Sequence, residues 1–126
     1  LEKVMVDGQE MDGRTAAVEH GQFWAFNGIA GMGEEPLFRT ARDRTIEIRM
    51  VNRTAFPHAI HLHGHHFVET FRASGDVNEG LFDTVLLDAE EQVAVAFVAD
   101  NPGKWMIHCH MLDHQASGMM SWFEVA

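Results

Sequence analysis

"QVAVAFVADNPGKWMIHCH", residues 92–110, sets two runs of alternating apolar side chains on either side of a short break rich in Asp, Asn, Pro and Gly. Successive side chains of an extended chain point to opposite faces, so period two on both sides of such a break reads as two strands and a turn. "TIEIRMV" (45–51), "LFDTVLL" (81–87) and "MSWFEVA" (120–126) have the same character, and "QFWAFNG" (22–28) reads as an earlier strand. "VNRTAFP", "ASGDVNEG" and "DAEE" punctuate them with turn-forming residues. "RASGDVNEGLF" (72–82) reads as a plain hairpin loop in preference to one that borders a site around Cys109, while the opening "LEKVMVDGQEMDG" fits no single element. Roughly six to eight short strands without a long amphipathic helix predict one all-β domain over residues 1–126, a Greek-key sandwich or barrel.

Composition narrows the function. Nine Lys and Arg against nineteen Asp and Glu give a net charge of −10, with no basic stripe, which argues against nucleic acid and against an anionic membrane surface. No apolar run approaches the roughly 18 residues of a membrane span, and no signal peptide is visible. The chain opens on Leu1 rather than Met, as an excised or processed piece would. A single cysteine forms no intrachain disulfide, so Cys109 is a core residue, a reactive thiol or a metal ligand.

The histidines decide between these. "HLHGHHF" (61–67) holds four of the nine in the chain, and "HCHMLDH" (108–114) crowds three more around the only cysteine. On a strand His108 and His110 share one face and Cys109 takes the other; His61 and His63 likewise share a face. His58 lies at an odd offset from His61 and follows Pro57, so it can be aimed at the opposite side. His114 and Met119 follow on the segment after the strand. Two sites therefore stand back to back. Cys109, His58, His114 and Met119 offer a thiolate, two imidazoles and a thioether, the set a type 1 copper takes. Structural zinc prefers paired cysteines or a two-plus-two spacing that is absent here. Four imidazoles on the other face would be costly to bury without a metal, the competing reading being a pH-sensing cluster.

"FPHAIHLHGHHF" (56–67) and "GKWMIHCHMLDHQASGMM" (103–120) resemble the two copper motifs in the C-terminal cupredoxin domain of the multicopper oxidases, the laccase-like family. The flanks "PLFRTARDRTIEIRMVNRT" and "FDTVLLDAEEQVAVAFVADNPGKW" are similar too, so the likeness runs from about residue 22 to 126. The resemblance implies a type 1 copper on His58, Cys109 and His114 with Met119 axial. It implies a type 2 ligand in His61 and type 3 ligands in His63, His108 and His110. The family's remaining cluster ligands come from two H-x-H motifs of an N-terminal cupredoxin domain, and this chain has no second pair. The implied activity is one-electron oxidation of a small reducing substrate, with electrons passing through Cys109 to His108 and His110 and dioxygen reduced to water. The implied location is periplasmic or secreted, and the isolated chain is expected to be inactive. His65 reads as a residue behind a ligand, orienting it or a carbonyl, and His66 as solvent-facing. Gly64 marks a close backbone approach or a bulge, and His20 has no role in the pattern. A stand-alone blue-copper electron carrier would have no use for the second histidine face. A copper-storage module would favour clustered methionines, whereas the eight here are dispersed.

Overall fold

The computed structural model describes residues 3–6, 9–12, 29–30, 35–110 and 120–126. All regular elements among them are strands: β1 (Lys3–Val6), β2 (Gln9–Asp12), β3 (Ile29–Ala30), β4 (Arg39–Thr40), β5 (Thr45–Val51), β6 (His58–Leu62), β7 (Val68–Arg72), β8 (Thr84–Leu87), β9 (Gln92–Val98), β10 (Gly103–Cys109) and β11 (Met120–Val125). The opening segment resolves into the antiparallel pair β1–β2, with β3 parallel to β1. The strand expected at 22–28 lies outside the described residues.

Two sheets enclose the core. One has the order β4-β11-β10-β6-β8 and the other β5-β9-β7, so chain neighbours are dealt between sheets in the Greek-key manner. β5 and β9 pair over their whole length, Thr45 opposite Val98 and Val51 opposite Gln92. Ile46, Ile48 and Met50 alternate inward from β5 while Thr45, Glu47 and Arg49 face out, the period expected of a half-buried strand. They meet Ile60 and Leu62 of β6, Val85 and Leu87 of β8, Ile107 of β10 and Phe123 of β11. Phe123 stacks on Phe38 at 5.0 Å between ring centroids. Burying such a side chain contributes about 1.5–3 kcal/mol.

The segment 72–82 is not a hairpin loop. β7 pairs with β9 and β8 with β6, so the chain there crosses from one sheet to the other, tied by the bridge between Phe67 and Phe82. The strand read at 81–87 begins only at Thr84, because Phe82 is used by that bridge and the Asp83 carbonyl accepts the Leu62 N–H. At the far end Arg72 is clamped between two buried carboxylates. It donates to Glu69 at 2.6 and 2.9 Å and to Glu91 at 2.8 Å. Glu91 also receives the Ser74 hydroxyl and the Asp88 N–H, and these partners hold its carboxyl below the usual range against the opposing effect of burial, the Ser74 bond contributing most.

Candidate metal centre

β10 lies between β11 and β6, pairing His108 with His61 and Cys109 with Ile60. Alternation then sends adjacent residues to opposite sides. Cys109 points into the core beside His58, both almost wholly buried at 0% and 1% exposure. The Cys109 Sγ stands 3.9 Å from His58 Nδ1. Metal–sulfur and metal–nitrogen bonds of about 2.3 and 2.0 Å at a trigonal angle place sulfur and nitrogen about 3.7 Å apart, so the pair fits one ion between them. His114 and Met119, the other two residues of that expected set, lie outside the described residues.

His108 takes the outer face. Its Nδ1 is 2.9 Å from the Cys109 carbonyl oxygen, which only accepts, so Nδ1 carries the proton and Nε2 is left as the lone-pair nitrogen. That Nε2 lies 3.0 Å from His63 Nε2. His61 is oriented from behind in the same way: its Nδ1 donates to the Asp83 carbonyl at 3.0 Å, with the Thr84 hydroxyl at 3.2 Å. One ring nitrogen from each of His61, His63 and His108 falls within 4.8 Å of the others, the donor set a soft or borderline cation takes. His63 is pushed below the ordinary imidazole range, first by burial and then by His61, His108 and His110, which favours the neutral form that binds metal. His110 sits one residue past β10, exposed, its ring centroid 5.4 Å from that of His61 and its N–H bonded to the Ala59 carbonyl.

The loop between these histidines is braced from below. Gly64 has φ +77°, and a Cβ there would fall 2.6 Å from the Trp105 indole. Trp105 Nε1 donates to the Asn101 carbonyl, and Asn101 Nδ2 donates to the Gly64 carbonyl, closing a ring of contacts. His65 turns inward among Phe97, Trp105 and Phe123, its Nδ1 3.3 Å from the His63 carbonyl and its Nε2 without a hydrogen-bond partner among the described residues. His66 is exposed, and His20 lies outside the described residues. Trp105, Asp83 and Thr84 were not singled out from the sequence. Nothing local marks them, although the aromatic two residues after Gly103 and the Asp-Thr pair opening β8 are where a brace would be sought.

A profile of the multicopper oxidase family matches residues 6–126, and the chain belongs to that family. Its two-sheet sandwich is the cupredoxin fold. It is 38% identical over 93 residues to "Laccase-1" of Fomitopsis schrenkii, covering 69% of this chain and 17% of that protein. It is 36% identical over 96 residues to "Multicopper oxidase MmcO" of Mycobacterium tuberculosis, covering 76% and 18%. Among solved structures, a laccase from Pediococcus acidilactici superposes with TM-score 0.75 at 26% identity, over 100% of this chain and 26% of that one. The chain thus spans about a quarter or less of the length of these relatives.

Proposed function

We propose that this chain is the C-terminal, type 1 copper-bearing domain of a longer multicopper oxidase. In this reading His58, Cys109, His114 and Met119 would hold the type 1 copper, His61 would be a type 2 ligand, and His63, His108 and His110 would be type 3 ligands. The copper ions supply one-electron redox chemistry: oxidation of a small reducing substrate at the type 1 site and reduction of dioxygen to water at the cluster. The protein's own work is positional. Cys109 and His58 exclude water and set the sulfur–nitrogen spacing. The covalent path from Cys109 to His108 crosses a single peptide unit, and the His108 Nδ1–H bond to the Cys109 carbonyl shortens it. Asp83 and Cys109 carbonyls fix which nitrogen of His61 and His108 faces outward. The rest of the cluster's imidazoles come from an N-terminal cupredoxin domain, so the isolated chain should bind type 1 copper yet consume no oxygen. Export to the periplasm or cell exterior accompanies this role.

One observation carries the reading: adjacent residues of β10 serve an inward cysteine–imidazole pair and an outward imidazole cluster. A stand-alone electron carrier would leave that outward cluster without employment. The test is Cys109→Ser in the copper-loaded full-length protein, which should abolish both the thiolate-to-copper visible band and oxygen uptake. Retention of the band would remove the type 1 assignment.

A further inference from the structure

The far nitrogen of His58 is engaged by a network that determines its proton. Asn52 is buried, and its amide orientation is forced. One terminus faces three carbonyl oxygens, those of Phe56 at 2.7 Å, Asp88 at 3.0 Å and Leu87 at 3.4 Å, so it is the NH2. The other terminus faces the Thr54 backbone N–H at 3.0 Å, so it is the oxygen. Thr54 Oγ1 lies 2.7 Å from that oxygen and 3.1 Å from the Phe56 carbonyl, both of which only accept. Its single hydrogen is therefore committed on that side, and the hydroxyl is left with lone pairs. One of these meets the Phe56 N–H at 3.3 Å, and the other meets His58 Nε2 at 2.9 Å. A lone pair there requires a proton on Nε2. The neutral ring then keeps its own lone pair on Nδ1, the atom 3.9 Å from Cys109 Sγ.

We propose that Thr54, oriented by Asn52, is a positioning residue for the copper site: it accepts the Nε2 proton of His58 and so aims Nδ1 at the ion shared with Cys109. The inference rests on the type 1 reading and deepens it. The chain of bonds has one direction throughout, from His58 to Thr54 to Asn52, and Asn52 is in turn anchored to the turn after β8 through Asp88 and through its own N–H to the Glu91 carbonyl. An acceptor on Nε2–H also makes the imidazole a stronger donor, which favours the oxidised ion.

The experiment compares Thr54→Val, Thr54→Ser and Cys109→Ser in the copper-loaded full-length protein. Thr54→Val keeps the size of the side chain and loses the acceptor. It should retain a visible band, lose type 1 copper to a chelator about 10- to 100-fold more readily, and show a raised reduction potential. Thr54→Ser, which keeps the oxygen, should match the parent in both. Unchanged potential and copper retention in Thr54→Val overturn the proposal while the Cys109-dependent band still stands. A parent protein with no such band overturns the type 1 reading and this inference with it. Nitrogen-15 histidine spectra of the parent in its Cu(I) form give a decision that needs no variant: the His58 proton is expected on Nε2, and finding it on Nδ1 overturns the proposal.

Discussion

Gly64→Ala should be among the most damaging conservative changes in the chain, although it adds one methyl to an exposed position. Two separate costs arise. A residue with a Cβ held at φ +77° costs about 1–2 kcal/mol relative to glycine. The methyl would also lie 2.6, 2.6 and 2.9 Å from three ring atoms of Trp105, well inside van der Waals separation. The indole cannot simply retreat, being hydrogen-bonded to the Asn101 carbonyl and set edge-on against His65, so the overpacking adds about 1–3 kcal/mol. Together these amount to about 2–5 kcal/mol, which for a chain of this size lowers the thermal midpoint by about 3–5 °C for each kcal/mol. Urea and thermal unfolding followed by tryptophan fluorescence read the loss. Gly64→Asn separates the terms, because asparagine tolerates the left-handed backbone yet still carries a Cβ. It should remain destabilised by the overpacking share. A loss under about 1 kcal/mol in Gly64→Ala would show that Trp105 does not brace this loop.

Metal-free protein should weaken in mild acid through His63. Its folded pKa lies below the ordinary 6.5, so the folded state binds fewer protons than the unfolded chain; that stability is complete above 6.5 and is lost as pH falls below it. Urea midpoints across that range test this, as does zinc affinity of the histidine face, which should rise with pH over the same window; a midpoint that climbs on acidification would contradict it. Arg72→Met leaves Glu69 and Glu91 buried without their cation and should cost about 3–5 kcal/mol, measured by denaturant unfolding, whereas a cost under about 1 kcal/mol would mean the carboxylates find water or protons easily. Met119→Leu should leave the copper-loaded protein blue and raise its potential, since under the proposed type 1 reading it withdraws a weak thioether donor to Cu(II); a fall in potential would show that Met119 is not that donor.

Strands with one face on the core were legible residue by residue. β5 and β9 coincide with the segments read at 45–51 and 92–98, because burial imposes period two on the sequence itself. β7 escaped notice for a physical reason. Its pattern is inverted, with Val68 and Phe71 exposed and Glu69 buried, and its register shifts between Glu69 and Phe71. The buried acid is tolerable only because Arg72 and the distant turn at Glu91 assemble around it, which no local window reveals. The histidine clusters followed the same rule: the parity of H-C-H and H-L-H placed Cys109 inward and His61, His63 and His108 together outward. Parity did not reveal the Trp105 platform or the Thr54 hydroxyl, since each depends on how a loop closes in space.

The arrangement of β10 also governs which errors the domain can survive. Because Cys109 and His108 are neighbours on one strand paired on both sides, inserting or deleting a single residue in 103–110 would exchange their faces, turning the thiol outward and an imidazole into the core. Both centres would vanish in the same event. A length change in 73–81, by contrast, falls in a crossing between sheets whose residues are exposed and form no strand, and should be absorbed. Chains of this kind are therefore expected to vary in length around the sandwich while keeping an uninterrupted count through that one strand, with no viable lineage in which only one of the two centres has been lost by a frame-preserving indel there.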